Sequence, residues 1–134
     1  MRTTEPTSAQ LTEFAETNQA SPFTMVNLIT FRAEAEYQAE EKMPKLTGRE
    51  AYDKYLQVVL PKITALGGKL VYRQKRQQLF VGAIEQDCDE IIIVAYPSRV
   101  AYLTMFNSID YQAAIKHRKA GLAHRVLFQC PANA

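Results

Sequence analysis

The chain has 134 residues, of which 47% are apolar and 22% charged, with a formal net charge of +2. This is an ordinary globular balance for one domain, able to bury roughly two thirds of its unfolded surface without a disulfide or metal staple. So weak a net charge gathers no phosphate backbone, which argues against a nucleic-acid partner. The opening MRTTEPTSAQ lacks the apolar core of a signal peptide, and the longest strongly apolar run, Ile91 to Tyr96, is too short to cross a bilayer. A soluble, cytoplasmic protein with no membrane partner is the expectation.

In chain order, residues 1–22 read as an extension carrying a short amphipathic helix over 9–16, in which Leu11, Phe14 and Ala15 share a face. A single domain, 23–130, follows. Its first strand is "FTMVNLITF" (23–31), apolar on both alternating faces and so expected to be covered on both. The charged run 32–45 reads as a mobile connection and a candidate flap over a cleft. Thr47 and Glu50 then form a capping box that starts a long helix, with Tyr52, Tyr55, Val59, Ile63 and Leu66 on its apolar stripe. Pro61 falls on the solvent side, and Gly67-Gly68 ends the helix.

Residues 69–75 alternate as an edge strand, and 78–82 are expected to continue it or fold back as a hairpin partner. "EIIIVAY" (90–96) is again apolar on both faces and reads as the second interior strand. Pro97-Ser98 stops it and caps a short helix over 99–106. Asn107-Ser108 recaps a second helix, 109 to about 120, and a last strand spans 125–129. The resulting order is βαββαβ, the split βαβ unit of an α+β, ferredoxin-like fold with an antiparallel sheet and two helices on one face. Two helices leave the second face of the sheet bare although the central strands are apolar there. A homodimer in which two sheets stack through that open face is therefore expected.

Cys88 and Cys130 stand 42 positions apart outside any CxxC pattern and read as reduced thiols. His117 and His124 form no HExxH or Cys/His cluster, so neither a metal nor a bound cofactor is expected.

The polar residues on apolar faces mark the candidate site. Arg118 lies on one helical stripe with Tyr111, Ile115 and Leu122, and a buried guanidinium costs several kcal/mol unless paired. Its partner is either a carboxylate of this chain, with Asp89, Glu90 and Asp110 as candidates, or an anionic group on a ligand. Tyr52, Tyr55, Tyr96 and Tyr111 would fill the core singly. Converging on Arg118, they would suit an apolar, aromatic ligand with one negative group. Asn27 interrupts an apolar strand face and either satisfies a neighbouring backbone group or orients a ligand oxygen. His117 sits on the shoulder of the stripe, as a half-exposed helix histidine or as a general base.

The segments "MVNLITFR" (25–32), "TGREAYDKY" (47–55), "GGKL" (67–70), "DEIIIVAYPSRVAYLTM" (89–105) and "YQAAIKHRKAGLA" (111–123) resemble the domain of unknown function 1330 family of the dimeric α/β-barrel superfamily. The resemblance covers residues 23–129, and its most specific pieces are the Tyr-Pro-Ser after the third strand and the Tyr followed seven residues later by Arg. It implies a ferredoxin-like subunit, sheets stacking into a dimeric barrel, and a ligand cleft between helices and sheet. It brings no activity. Cofactor-free monooxygenases, isomerases and cyclases occur in the superfamily beside proteins with no known chemistry. The chain departs from the family's common Trp-Asp at Cys88-Asp89 and from an acidic residue near His124.

Two readings result. In the first, a small molecule is bound and turned over without metal or cofactor: Arg118 holds its anionic end, Asn27 and the tyrosines position it, and His117 or a tyrosine moves the proton. In the alternative, the dimer is a non-catalytic binding or structural module with Arg118 in an internal ion pair.

Overall fold

The computed structural model describes residues 3–17 and 20–132. Four strands form one antiparallel sheet: β1 (Phe23–Phe31), β2 (Lys69–Lys75), β3 (Glu90–Tyr96) and β4 (Leu122–Pro131), in the order β2-β3-β1-β4. The two strands that are apolar on both faces, β1 and β3, are the central ones. Helices α2 (Gly48–Ala65) and α4 (Ile109–Gly121) pack on one face, with α3 (Arg99–Phe106) leading into α4 and α1 (Ser8–Glu16) accessory to them. This is the ferredoxin-like α+β fold.

Local chemistry sets the element ends. Thr47 Oγ1 accepts from Glu50 N and the Glu50 carboxylate accepts from Thr47 N, the expected capping box. Ser98 and Ser108 hydroxyls accept from Ala101 N and Tyr111 N at the starts of α3 and α4. Gly67, at φ +91°, turns the chain out of α2 in a conformation costly for any residue with a Cβ. The core lies between α2, α4 and the sheet, with Phe23, Met25, Ile29, Ile92 and Val94 facing Tyr52, Tyr55, Val59, Ile63 and Tyr111.

Three expectations are corrected. Residues 78–82 form no strand: Phe80 and Val81 stand 83% and 84% exposed in a loop that ends in a 3-10 turn over Ile84–Gln86. One edge of β2 is already paired to β3, and Gly82 at φ +145° breaks the extended run that a hairpin would need. The connection 32–45 is pinned and does not cross the cleft. Ala35 N donates to Leu46 O, Glu36 N donates to Ala120 O, and Tyr37 Oη sits 2.6 Å from His117 Nδ1. Finally, β4 begins at Leu122 and not at Arg125, because a register shift at Thr30/Phe31 lets pairing run on to Phe31 and Leu122.

Candidate functional site

The periodicity of α4 places Tyr111, Ala114 and Arg118 on its buried stripe, and that of α2 places Tyr52 and Tyr55 opposite them. These stripes bring three of the expected residues into one hydrogen-bonded cluster. Tyr55 Oη and Tyr111 Oη are 2.7 Å apart, Arg118 Nη1 donates to Tyr111 Oη at 3.3 Å, and the guanidinium carbon lies 5.5 Å from the Tyr55 ring centroid. Tyr52 packs on Tyr55 with ring centroids 5.4 Å apart. Tyr96 extends this aromatic wall by stacking on Phe23 and meeting Tyr102 edge-on.

The anion partner of Arg118 is Glu5. Arg118 Nη2 donates to Glu5 Oε1 at 2.9 Å, across 113 residues of sequence, and the Arg118 side chain is only 2% exposed. The three expected carboxylates are engaged elsewhere. Asp89 accepts from Phe31 N, Glu90 is held by Arg49 and Arg73, and Asp110 pairs with Lys62. The Glu5 pairing is one-sided: Glu5 Oε2 and Arg118 Nε are both buried without a hydrogen-bond partner.

A cleft of about 700 Å³ opens beside this pair. Arg118 and Glu5 line it together with Phe14, Tyr102, Phe106 and Leu127, and its lining runs on to Leu28, Val126 and Phe128 of the other sheet face. Tyr52, Tyr55, Tyr96, Tyr111 and Asn27 are not among the residues that line it. Alternation along β4 sets Arg125, Leu127 and Gln129 opposite Ile29, Asn27 and Met25, on the helix-covered face. Arg125 binds the backbone of the N-terminal segment, its N donating to Thr3 O and its Nε to Thr4 O. Arg125, Glu5 and Tyr102 escaped sequence reasoning. Placing β4 by its pairing would have revealed Arg125, whereas nothing periodic marks Glu5.

The electrostatics favour a fixed cation among neutral phenols. Burial alone would lower the Arg118 pKa, but Tyr55, Tyr111 and Glu5 outweigh it and raise it further above the usual arginine value. Burial, first of all, also pushes up the hydroxyls of Tyr52, Tyr96, Tyr102 and Tyr111. At neutral pH these tyrosines are therefore hydrogen-bond donors and not phenolates.

The other expected residues lie differently. Asn27 Nδ2 donates to Ile92 O across the sheet, the backbone-satisfying option. His117 flanks α4 and meets Tyr37 instead of the tyrosine cluster. Cys88 and Cys130 are free thiols. Among the described residues, no group of three or more His, Cys, Asp or Glu could hold a metal ion, and no helix is long and apolar enough to cross a membrane.

This fold and cleft define a class of small ferredoxin-like proteins, and the sequence assigns the chain within it. Residues 41–129 match the model of the domain of unknown function DUF1330. The chain belongs to that family. Among solved structures, it is similar to RPA0582 of Rhodopseudomonas palustris, a protein of unknown function, at 28% identity and a TM-score of 0.89, covering 100% of this chain and 99% of that one. More distant likenesses show the fold alone. A putative antibiotic biosynthesis monooxygenase from Caulobacter crescentus is 13% identical (TM-score 0.55, covering 87% of this chain and 94% of that one), and SnoaB, a cofactor-independent oxygenase from Streptomyces nogalater, is 11% identical (0.52, 86% and 96%). No match is found among curated proteins.

Proposed function

We propose that the protein binds a small apolar or aromatic molecule bearing one anionic group, in the cleft between helices and sheet, with Arg118 as the anion anchor. The observation that carries this reading is the guanidinium itself, 2% exposed on the wall of a cleft of about 700 Å³. Its carboxylate partner is borrowed from the N-terminal extension and leaves the guanidinium fork half used. Phe14, Tyr102, Phe106 and Leu127 would supply the apolar wall. Tyr55 and Tyr111, behind the guanidinium, would hold Arg118 in place, Tyr52 and Tyr96 would pack around them, and Asn27 would hold the strand beneath.

Isomerisation, cyclisation or oxygenation through a substrate carbanion is compatible with such a site, and two neighbours are described as oxygenases. Because that likeness is one of fold, the residues support binding ahead of any reaction. His117 is held by Tyr37 on the flank of α4, so this reading gives it no part in gripping the ligand.

Calorimetric titration with benzoate and its neutral analogue benzamide tests the proposal. Benzoate should bind the parent and lose at least about tenfold affinity in Arg118→Met, the loss of one charge-assisted contact, while benzamide should be insensitive to the substitution. Equal binding of benzoate by both proteins would sink the reading.

We also propose that a second copy covers the open face of the sheet. Val26, Leu28, Ile91 and Ile93 are half-buried there, and Val126 and Phe128 are 44% and 54% exposed. The exposed Phe80, Val81 and Ile84 of the β2–β3 connection add further apolar area.

A further inference from the structure

We infer that residues 3–17 are a displaceable plug, in which the Glu5 carboxylate holds the anion position of Arg118 until the anionic group of a ligand takes it. This rests on Arg118 being the anion anchor, and it concerns the regulation of that same site.

The first support is the geometry of the pair. A carboxylate meets an arginine best side-on, one oxygen on Nη2 and the other on Nε. Glu5 places Oε1 on Nη2 at 2.9 Å, but its Oε2 and the Arg118 Nε remain buried and unmatched. The tethered carboxylate therefore forgoes one charge-assisted bond and leaves two polar atoms desolvated. An untethered carboxylate can seat both oxygens and relieve both deficits.

The second is the loose docking of the segment. Helix α1 contributes no buried residue. The contacts of the segment include the Phe14 ring against Phe23, Tyr102 and the Arg99 guanidinium, the bonds from Arg125 to Thr3 and Thr4, and Gln129 Nε2 donating to Thr17 Oγ1 at 3.4 Å, nearly all of them at the surface of the domain. Such an attachment belongs to the low end of local stability, where opening is frequent.

The third is position. Thr3, Thr4, Glu5 and Phe14 themselves line the cleft, so release of the segment widens the site at the moment the guanidinium is freed. Ligand binding and docking of the segment are then coupled equilibria: whatever favours the docked state weakens the ligand by the fraction of molecules open.

The test uses the full chain, benzoate as probe, and hydrogen exchange of the α1 amides beside calorimetry. In the parent, saturating benzoate should accelerate exchange over residues 8–16. Glu5→Gln should exchange faster without ligand and bind benzoate about tenfold more tightly. If Glu5→Gln and the parent bind equally, or α1 exchange is unmoved at saturation, the plug is wrong even where Arg118→Met shows that Arg118 binds the anion. If Arg118→Met binds benzoate as the parent does, or Glu5→Gln binds none, the anchor itself is wrong and the plug falls with it. Should Arg118→Met fail to fold, Arg118→Lys removes the fork and keeps the charge.

Discussion

Arg118 and Glu90 are both buried charges, 2% exposed each, yet their partners predict opposite responses to removal. Glu90, on β3, accepts from Arg49 and from Arg73 Nε, and Arg73 also reaches Asp53 at 2.9 Å. That network is built on rigid elements. Glu90→Gln should lose on the order of 2 kcal/mol in denaturant unfolding at fixed protein concentration. Arg118→Met frees a carboxylate whose own segment can carry it into water, so the large penalty for an orphaned buried charge does not arise. Its stability should stay within about 1 kcal/mol of the parent, whereas a loss of about 3 kcal/mol or more would mark Arg118 as a structural clasp. The sequence disclosed that Arg118 faces inward, because helical periodicity is local. It could not disclose Glu5, because a contact spanning 113 residues leaves no trace in spacing.

At the scale of elements, the crossing of α2 and α4 depends on two glycines. A Cβ on Gly121 would lie 2.5 Å from Gly48 O and 3.0 Å from Tyr52 N, both backbone atoms that cannot yield without parting the helices. Helix propensity alone would favour alanine at this position. We expect the opposite, with Gly121→Ala losing roughly 2 kcal/mol or more by overpacking, read as a lower denaturant midpoint.

The pinned connection 32–45 gives a second prediction. Burial first, then the charges of Lys116 and Lys54, hold His117 below the ordinary histidine range, with Glu41 pulling the other way. The unfolded chain therefore takes up this proton first as pH falls below about 6.5. Stability should decline from there down to the lower folded pKa, and be fully present above pH 6.5. Comparing denaturant midpoints at pH 7.5 and 5.5, the parent should lose more than His117→Gln; equal losses would refute the assignment.

Most elements were legible because their determinants lie within a few residues: the capping box at Thr47, the serine caps at 98 and 108, and the doubly apolar runs of β1 and β3. The hairpin expected at 78–82 was not. Phe80 and Val81 look like strand residues, but whether a strand forms depends on a partner edge, which only the assembled sheet supplies.

For the whole molecule, the bare face of the sheet is the dominant feature. If a second copy covers it, a charge placed there should separate the subunits without unfolding them. Phe128→Glu, at a position 54% exposed in the single chain, should sediment as a monomer with an unchanged far-UV circular dichroism spectrum. A parent that already sediments as a monomer at micromolar concentration would refute the stacked pair.

The route of the chain through the fold also bears on its synthesis. The segment is made before the residues that receive it, because Arg118, Arg125 and Gln129 follow their partners in it by 113, 121 and 112 positions. At about 5–20 residues per second, Glu5 waits roughly ten seconds for its arginine. During that interval β1 lacks its β4 neighbour, and the cleft has neither its outer strand nor its covering helix. The newborn chain thus presents Phe14 and the edge of β1 to whatever meets it first, and β4, made long after both, finishes the sheet and seats the waiting segment.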